Sequence, residues 1–177
     1  MMPIRFDAAH ASEDGRLVDR ARTGDESAFS SLYDRYARTI HGLLLARVSR
    51  LDADDLVQDV FLTAWRRLDD LRDPAAFGGW LSMIARNRAT DFQRRNVESV
   101  PLSPVLQIHD GTAARAEANA VLAAIRHLPE AYRETLMLRL VEGMTGPEIA
   151  ERTGLTAASV RVNLHRGMKL LREKLEP

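Results

Sequence analysis

Apolar residues recur every three or four positions along most of this chain, a spacing that gathers them on one face of an α-helix. The clearest stripe follows Asp25, a residue type that caps helix N-termini, and predicts a long helix from Glu26 to about Arg50. No segment alternates as a half-buried strand would, so we predict an all-α fold. The stripe expected in the core, with both tyrosine hydroxyls satisfied, is Ala28, Phe29, Leu32, Tyr33, Tyr36, Ile40, Leu43, Leu44 and Val48.

The next helix is predicted to begin at Asp52 and to combine an apolar inner face with an acidic outer face. The helix dipole alone favours carboxylates in its first turn, at Asp52, Asp54 and Asp55. It does not account for Asp59, one turn further in. The outer face is either solvated or docks a basic partner, and its members are Asp55, Gln58, Asp59 and Leu62.

The segment from Phe77 to Arg95 has helical periodicity, with Trp80 and Phe92 among its apolar positions. Its polar positions carry amide and guanidinium groups. Amides hydrogen-bond base edges, rings stack on bases and arginines hold phosphates, so this composition suits unpaired nucleic acid. The alternative is an amphipathic helix with a basic solvated face. The polar cluster consists of Arg86, Asn87 and Arg88, with Arg94 and Arg95 about two turns later.

Residues 97–114 differ from the rest of the chain, because they contain two prolines, a glycine and no sustained periodicity. We interpret this stretch as a flexible linker between two small helical domains, at 13–96 and 115–177. Residues 1–12 are interpreted as a disordered tail, followed by a short helix from Glu13 to Arg22.

The end of the second domain has the pattern of a helix-turn-helix. Thr145 and Glu148 have capping-box spacing, Gly154 marks a tight turn, and Thr156 is placed to cap a final helix. Small, polar and basic residues on a second helix suit a major groove, although a helical hairpin with a solvated face is the alternative. The predicted inner face is Val160, Leu164, Gly167, Met168, Leu171 and Leu175. The outward positions are Ala158, Val162, His165, Arg166 and Lys169, flanked by Ser159, Arg161 and Asn163.

Composition restricts the possible functions. The chain has 177 residues, no cysteine and a formal net charge of zero. A domain that binds duplex DNA unaided usually has a basic excess. Therefore either nucleic acid is not the partner, or a larger basic partner supplies the general affinity. We find neither a signal peptide nor a membrane span and expect a soluble cytoplasmic protein.

An enzyme has no positive support in this sequence. Its five histidines show no metal-binding spacing and no clustered carboxylates, and no glycine-rich loop follows a strand. We expect no catalytic residue, no metal, no cofactor and no small-molecule substrate.

Three stretches, in this order, carry a resemblance to a known family: DADDLVQDVFLTAWRRL, FGGWLSMIARNRATDFQRR and LPEAYRETLMLRLVEGMTGPEIAERTGL. Together they resemble bacterial RNA polymerase sigma factors, and the short two-domain layout resembles their extracytoplasmic-function (ECF) class. The resemblance implies that the first domain binds the promoter −10 element and the second binds the −35 element. Its partners would be promoter DNA, the clamp coiled coil and flap of the polymerase core, and an anti-sigma factor.

The resemblance also assigns residues. Trp80 and Asn87 stand where family members support and read an extruded −10 base, and Leu71 replaces an aromatic wall of that pocket. The implied −10 contacts are Leu71, Trp80, Arg86, Asn87, Arg88, Asp91, Arg94 and Arg95. The implied polymerase contacts are Asp54, Asp55, Gln58, Asp59 and Leu62. The implied −35 contacts are Ser159, Arg161, Val162, Asn163, His165, Arg166 and Lys169.

Departures from the family pattern bear on −35 preference. Val162 and Asn163 replace a more usual serine and arginine, and Gly146 with Pro147 is unusual in the first helix of the motif. Two rival functions stay open at this point. An autonomous helix-turn-helix regulator would leave the composition of residues 77–95 unexplained, and a protein-interaction adaptor would leave both basic helices unexplained.

Overall fold

The computed structural model describes residues 8–99 and 113–175, and the side chains of 13–95 and 117–175. Within those ranges the chain forms eight α-helices and no strand, which confirms the predicted all-α class. The first domain contains α1 (Ala8–Arg22), α2 (Glu26–Leu45), α3 (Arg50–Arg66) and α4 (Phe77–Ser99), with 3-10 turns at Leu68–Asp70 and Pro74–Ala76 between α3 and α4. The second contains α5 (Ala113–Arg126), α6 (Glu130–Leu140), α7 (Gly146–Thr153) and α8 (Ala157–Leu175).

Side-chain caps fix several helix starts where the sequence predicts them. The Asp25 carboxylate accepts a hydrogen bond from the Ala28 amide at 3.1 Å. Thr145 and Glu148 form a complete capping box at the start of α7. Gly154 ends α7 with φ +74°, a left-handed conformation in which a side chain would be strained. These local contacts set the geometry of the helix-turn-helix.

Some predicted helix boundaries are wrong by a few residues. The long helix ends at Leu45 instead of near Arg50, because the Ser49 hydroxyl accepts from the Asp52 amide and starts α3 at Arg50. Helix α1 begins at Ala8, inside the predicted tail. Helices α4 and α5 both extend into the predicted linker, and the remaining tail and linker positions, 1–7 and 100–112, lie outside the described residues.

Two side-chain predictions are also corrected. Tyr36 is buried, with its hydroxyl donating to Asp14, but Tyr33 is 38% exposed and covered on one side by the tilted ring of Phe61. Leu175 is 44% exposed because it lies in the last turn of α8, past the residues that pack into the core.

The two domains pack against each other through α2 and α4 of the first and α6 and α7 of the second, so a single apolar core runs through both. Close approach depends on Gly42, where an added Cβ would lie 2.7 Å from Leu138 Cδ2. Helix α6 is consequently buried on two sides, and Leu136, Met137 and Leu138 are all 0% exposed. We refer to this arrangement as the closed conformation.

Candidate functional site

The acidic outer face of α3 faces solvent in the closed conformation. Val57 and Val60 anchor the helix in the core, which turns Asp55, Asp59 and Leu62 outwards, and Leu62 is 53% exposed. Gln58 is likewise exposed. An apolar residue among carboxylates, with no cover from either domain, is a surface that can dock a basic partner. We call Asp55, Gln58, Asp59 and Leu62 the acidic face.

Asp54 is placed beside that face and next to the domain boundary. His41 Nε2 lies 3.2 Å from Asp54 Oδ1 without the alignment of a hydrogen bond, whereas His41 Nδ1 lies 2.6 Å from Glu142 Oε1 in the second domain. The bond to Glu142, aided by the charge of Asp54, raises the pKa of His41 above its usual value despite opposing effects of burial and Arg50. His41 therefore lies between carboxylates of both domains.

Helix α4 presents Asn87 on its exposed side, one residue after Arg86. Trp80 is half-buried, and its ring lies tilted against Phe77 with centroids 6.0 Å apart. This contact positions one edge of the indole in the core and leaves the rest accessible. Met83, one turn before Asn87, is 51% exposed on the same side of the helix. The exposed face of α4 thus offers an amide, an indole edge and a thioether to a partner.

The basic residues of α4 are less available than the sequence implies. Arg88 Nη2 donates to Thr63 Oγ1 at 2.9 Å, which ties α4 to α3. Arg94 pairs with Asp91 at 3.1 Å, and Arg95 is exposed at the end of the described side chains. Arg86 is engaged most fully, because it forms two hydrogen bonds of 2.9 Å with the Glu134 carboxylate of α6. The second domain therefore holds one of the predicted −10 residues.

Leu71 does not lie on this surface. Its side chain is 5% exposed within the core, and its carbonyl accepts a hydrogen bond from Arg22. The residue falls between two 3-10 turns that fold its side chain inwards. Its side chain is therefore covered in the closed conformation, and its role in a −10 pocket stays a prediction.

The predicted face of α8 is turned to solvent as a unit. Val160, Gly167 and Leu171 pack inwards, and Gly167 permits this because an added Cβ would lie 3.1 Å from Leu136 Cδ1. The Thr156 hydroxyl accepts from the Ser159 amide at 3.0 Å and caps the helix. Six of the outward residues are exposed and Asn163 is half-buried: Ser159, Arg161, Val162, Asn163, His165, Arg166 and Lys169.

Two residues with a clear structural role at the domain boundary were missed from sequence. Glu134 is a charged residue on a helix and would be expected at the surface, yet it is 5% exposed. Arg47 follows α2 and its side chain is 6% exposed, because it lies against the same carboxylate. A buried ion pair between residues 87 positions apart leaves no local signal, so only the packing of the two domains discloses it.

Comparison with known proteins follows the same division into two domains. The family model "Sigma-70 region 2" matches residues 32–98, and "Sigma-70, region 4" matches residues 118–171. The ECF RNA polymerase sigma-E factor of Haemophilus influenzae is 32% identical, over 93% of this chain and 96% of its own. The ECF RNA polymerase sigma-E factor of Escherichia coli K12 is 30% identical, over 91% and 93%.

Solved structures agree. CnrH, in complex with the cytosolic domain of CnrY, matches with a TM-score of 0.63 and 28% identity, covering 93% of this chain and 97% of that one. The sigma factor RpoE of Bartonella quintana, in complex with the anti-sigma factor NepR, matches in fold with a TM-score of 0.55 at 21% identity, covering 84% and 96%.

Two helical domains, the second with a helix-turn-helix and an exposed basic helix, define a transcription protein that contacts promoter DNA. The chain belongs to the bacterial RNA polymerase sigma factors of the ECF class. As a sigma factor it binds the polymerase core, directs it to promoters and promotes opening of the −10 region. Among the described residues, no helix is long and apolar enough to cross a bilayer.

Proposed function

We propose that three surfaces of this chain divide the work of initiation. The acidic face and Asp54 bind the clamp coiled coil, α4 holds the unpaired −10 strand, and α8 enters the −35 major groove. The observation that carries this division is that six of the seven predicted contacts of α8 face solvent, away from the residues that pack inwards. For the flap, the second domain offers Leu140 and Val141, which are 46% and 40% exposed.

Strand opening follows from the chemistry of α4. An extruded base loses stacking worth a few kcal/mol, and stacking on a ring or hydrogen bonds to a base edge can offset that loss. Asn87 carries both a donor and an acceptor, so it can distinguish bases. Trp80, fixed by Phe77 along one edge, can support the base from the side. We assign base reading to Asn87 and support to Trp80.

Promoter binding requires the closed conformation to open. The −10 and −35 elements lie about 25 base pairs apart, which is roughly 85 Å of B-form DNA. A compact chain of 177 residues has a radius of gyration of ~16 Å and is about 40 Å across. The closed chain is therefore too small to place α4 and α8 on their elements together, and binding to core polymerase must separate the domains.

An anti-sigma factor is a further proposed partner. The support is membership of the ECF class and the similarity to CnrH, which was solved with the cytosolic domain of a second protein. Such a partner would act by stabilising a conformation in which promoter contacts are covered.

Transcription with purified core polymerase tests the main proposal. We expect initiation from a subset of a promoter library only when this chain is added. The isolated chain should bind promoter duplex no better than random duplex at physiological salt, because it has no basic excess. Tight, sequence-specific binding by the chain alone would instead identify an autonomous regulator.

Base reading has its own test. Asn87→Ala should retain core binding and recruitment to duplex but lose discrimination at one −10 position. Trp80→Ala should reduce opening at every promoter, with partial rescue on a template mismatched over the −10 region. Permanganate reactivity of unpaired thymines measures opening, and thermal melts of the same variants identify any loss of folding. A Trp80→Ala chain that only melts earlier, without rescue, would show that Trp80 is a core residue alone.

A further inference from the structure

Two arginines of the first domain converge on one carboxylate of the second. Arg86 binds Glu134 through Nε and Nη2, each at 2.9 Å from a different carboxylate oxygen. Arg47 Nη2 lies 2.6 Å from Oε1 of the same group and also pairs with Glu130 at the surface. Glu134 is 5% exposed, so its anion is surrounded by guanidinium groups instead of water.

Side-chain contacts within the first domain hold Arg47, whereas Arg86 is anchored there through its place on α4. Arg47 donates through Nη1 to the Leu43 carbonyl at 3.2 Å, and its own carbonyl accepts from Gln93 Nε2 of α4 at 2.6 Å. Arg86 is part of α4, where its carbonyl accepts from the Thr90 hydroxyl. Separation of the domains therefore removes the carboxylate but leaves both cationic groups on the first domain.

The two guanidinium groups share one anion in the closed conformation. Burial alone would raise the pKa of Glu134, but the hydrogen bonds and charge of Arg86, together with Arg47, lower it below its usual value, so the group is ionised. A phosphate offers the same pair of oxygens to a guanidinium that a carboxylate does. Arg86 immediately precedes Asn87, so a strand whose base meets Asn87 passes this pair with its backbone.

We infer that Arg47 and Arg86 form a binding site for a backbone phosphate of the unpaired −10 strand, and that Glu134 occupies this site in the closed conformation. The inference rests on the proposed function, since it requires that α4 contacts the −10 strand. Closure and strand binding then compete for the same cations. By linkage, the strand weakens closure by the same factor by which closure weakens strand binding.

Arg47 distinguishes a phosphate site from a mere domain contact. In the holoenzyme, where the domains are apart, Arg47→Ala should weaken binding of a single-stranded −10 oligonucleotide about tenfold or more. The slope of log affinity against log salt should fall by about 0.7, the value for one lost phosphate contact on a single strand. Arg47→Lys should keep the slope and recover part of the affinity. The matched control is Arg20→Ala, which removes a cation from exposed α1.

Glu134 is tested in the free full-length chain. Glu134→Gln should strengthen binding of the same oligonucleotide, because the amide releases both cations while keeping the side-chain shape. Arg126→Gln is the control, since Arg126 Nε donates to the Leu45 carbonyl at 3.0 Å across the same boundary but touches neither arginine. Distances between labels on the two domains, with melting temperatures, show how far each variant opens and whether it folds.

The phosphate site, the role of Glu134 and the proposed function are each overturned by a different result. An unchanged affinity and salt slope for the Arg47→Ala holoenzyme would overturn the phosphate site while leaving the sigma function intact. Equal gains from Glu134→Gln and Arg126→Gln at equal opening would overturn the role of Glu134 as occupant. A wild-type holoenzyme that fails to bind promoter DNA at all would overturn the proposed function, and the inference with it.

Discussion

The two helices proposed to contact promoter DNA differ in whether their basic side chains are bound by other parts of the protein in the closed conformation. On α8, Arg161 and Arg166 face solvent and make no contact with the first domain. On α4, Arg86 is bound to Glu134 of the opposite domain and Arg88 to Thr63 of α3. The helix assigned to duplex DNA is free, whereas the helix assigned to unpaired DNA is engaged.

This difference shows which contact depends on opening. Duplex at the −35 element is available in any promoter, and a free α8 requires no change in the protein to meet it. Unpaired −10 DNA arises only during initiation, and under the proposed function α4 would meet it only after the second domain has moved away. The acidic face is as exposed as α8, so the proposed polymerase contacts are accessible before the domains separate.

The largest effect is expected at the acidic face. Asp59→Lys places a positive charge against the proposed basic clamp surface, and juxtaposed like charges cost several kcal/mol, or at least about 100-fold in affinity for core. The melting temperature should stay unchanged, because Asp59 is exposed. Affinity is measured by titration of labelled chain with core polymerase. Asp69→Lys, at a side chain 91% exposed in a 3-10 turn, is the control. Equal losses from both would indicate a general charge effect.

The next effect is expected on α8. Arg166→Ala should weaken −35 binding by the holoenzyme by about 1–3 kcal/mol at one base position if the guanidinium reads a guanine. A phosphate contact would instead lower affinity alike on all −35 sequences and reduce the salt slope. Arg172→Ala, on the exposed last turns of the same helix, is the control. Wild-type binding on every promoter would remove Arg166 from the interface.

A smaller effect is expected from loosening the contact between the two domains, which should make α4 as accessible as α8. In Gly42→Ala the new Cβ would lie 2.7 Å from Leu138 Cδ2 and 3.0 Å from Glu142 Cγ, both in the second domain. Such overpacking costs about 1–3 kcal/mol in the closed conformation, whereas alanine favours α2 itself. We expect a larger label-to-label distance and stronger single-strand binding, with −35 binding by the holoenzyme unchanged. Gly79→Ala, which meets nothing within 4 Å, should not change the distance.

The smallest effect concerns pH. The pKa of His41 is raised above 6.5 in the closed conformation, chiefly by its hydrogen bond to Glu142. A raised pKa means that the contribution to closure is complete below about 6.5 and is lost as pH rises through the closed-state pKa. Asp54 belongs to the same domain as His41 and stays beside it after opening. Only the part of the pKa shift that comes from Glu142 therefore contributes to closure. The open fraction, measured by the same labels, should therefore rise with pH, and His41→Gln should flatten this dependence. A wild-type chain without any pH dependence would contradict the link.

Local features of this structure were predictable from sequence because short-range chemistry decides them. The Asp25 cap, the Thr145–Glu148 capping box and the exposed face of α8 each depend on residues within one or two turns. The burial of Leu71 was not predictable, because it follows from the two 3-10 turns on either side, which periodicity does not detect. The roles assigned to the contact residues of α3, α4 and α8 stay predictions.

The packing of the two domains in the closed conformation could not be predicted from the sequence, for a different reason. From sequence alone, Gly42 would be expected only to destabilise its helix. The structure shows that it permits the close approach of Leu138. Glu134 and Arg47 read as solvated charges until the second domain buries them. Contacts of this kind depend on the relative placement of two separately patterned units, which neither pattern encodes.

The two-sided burial of α6 determines how closure responds to temperature. Opening exposes Leu138 and its apolar neighbours to water, and apolar contacts weaken as the solution is cooled. The desolvation cost of the Glu134 ion pairs also falls on warming. Both contributions therefore favour the closed chain as temperature rises and the open chain as it falls. Below the unfolding transition, a cold cell would hold more of this protein in the form that can bind the −10 strand.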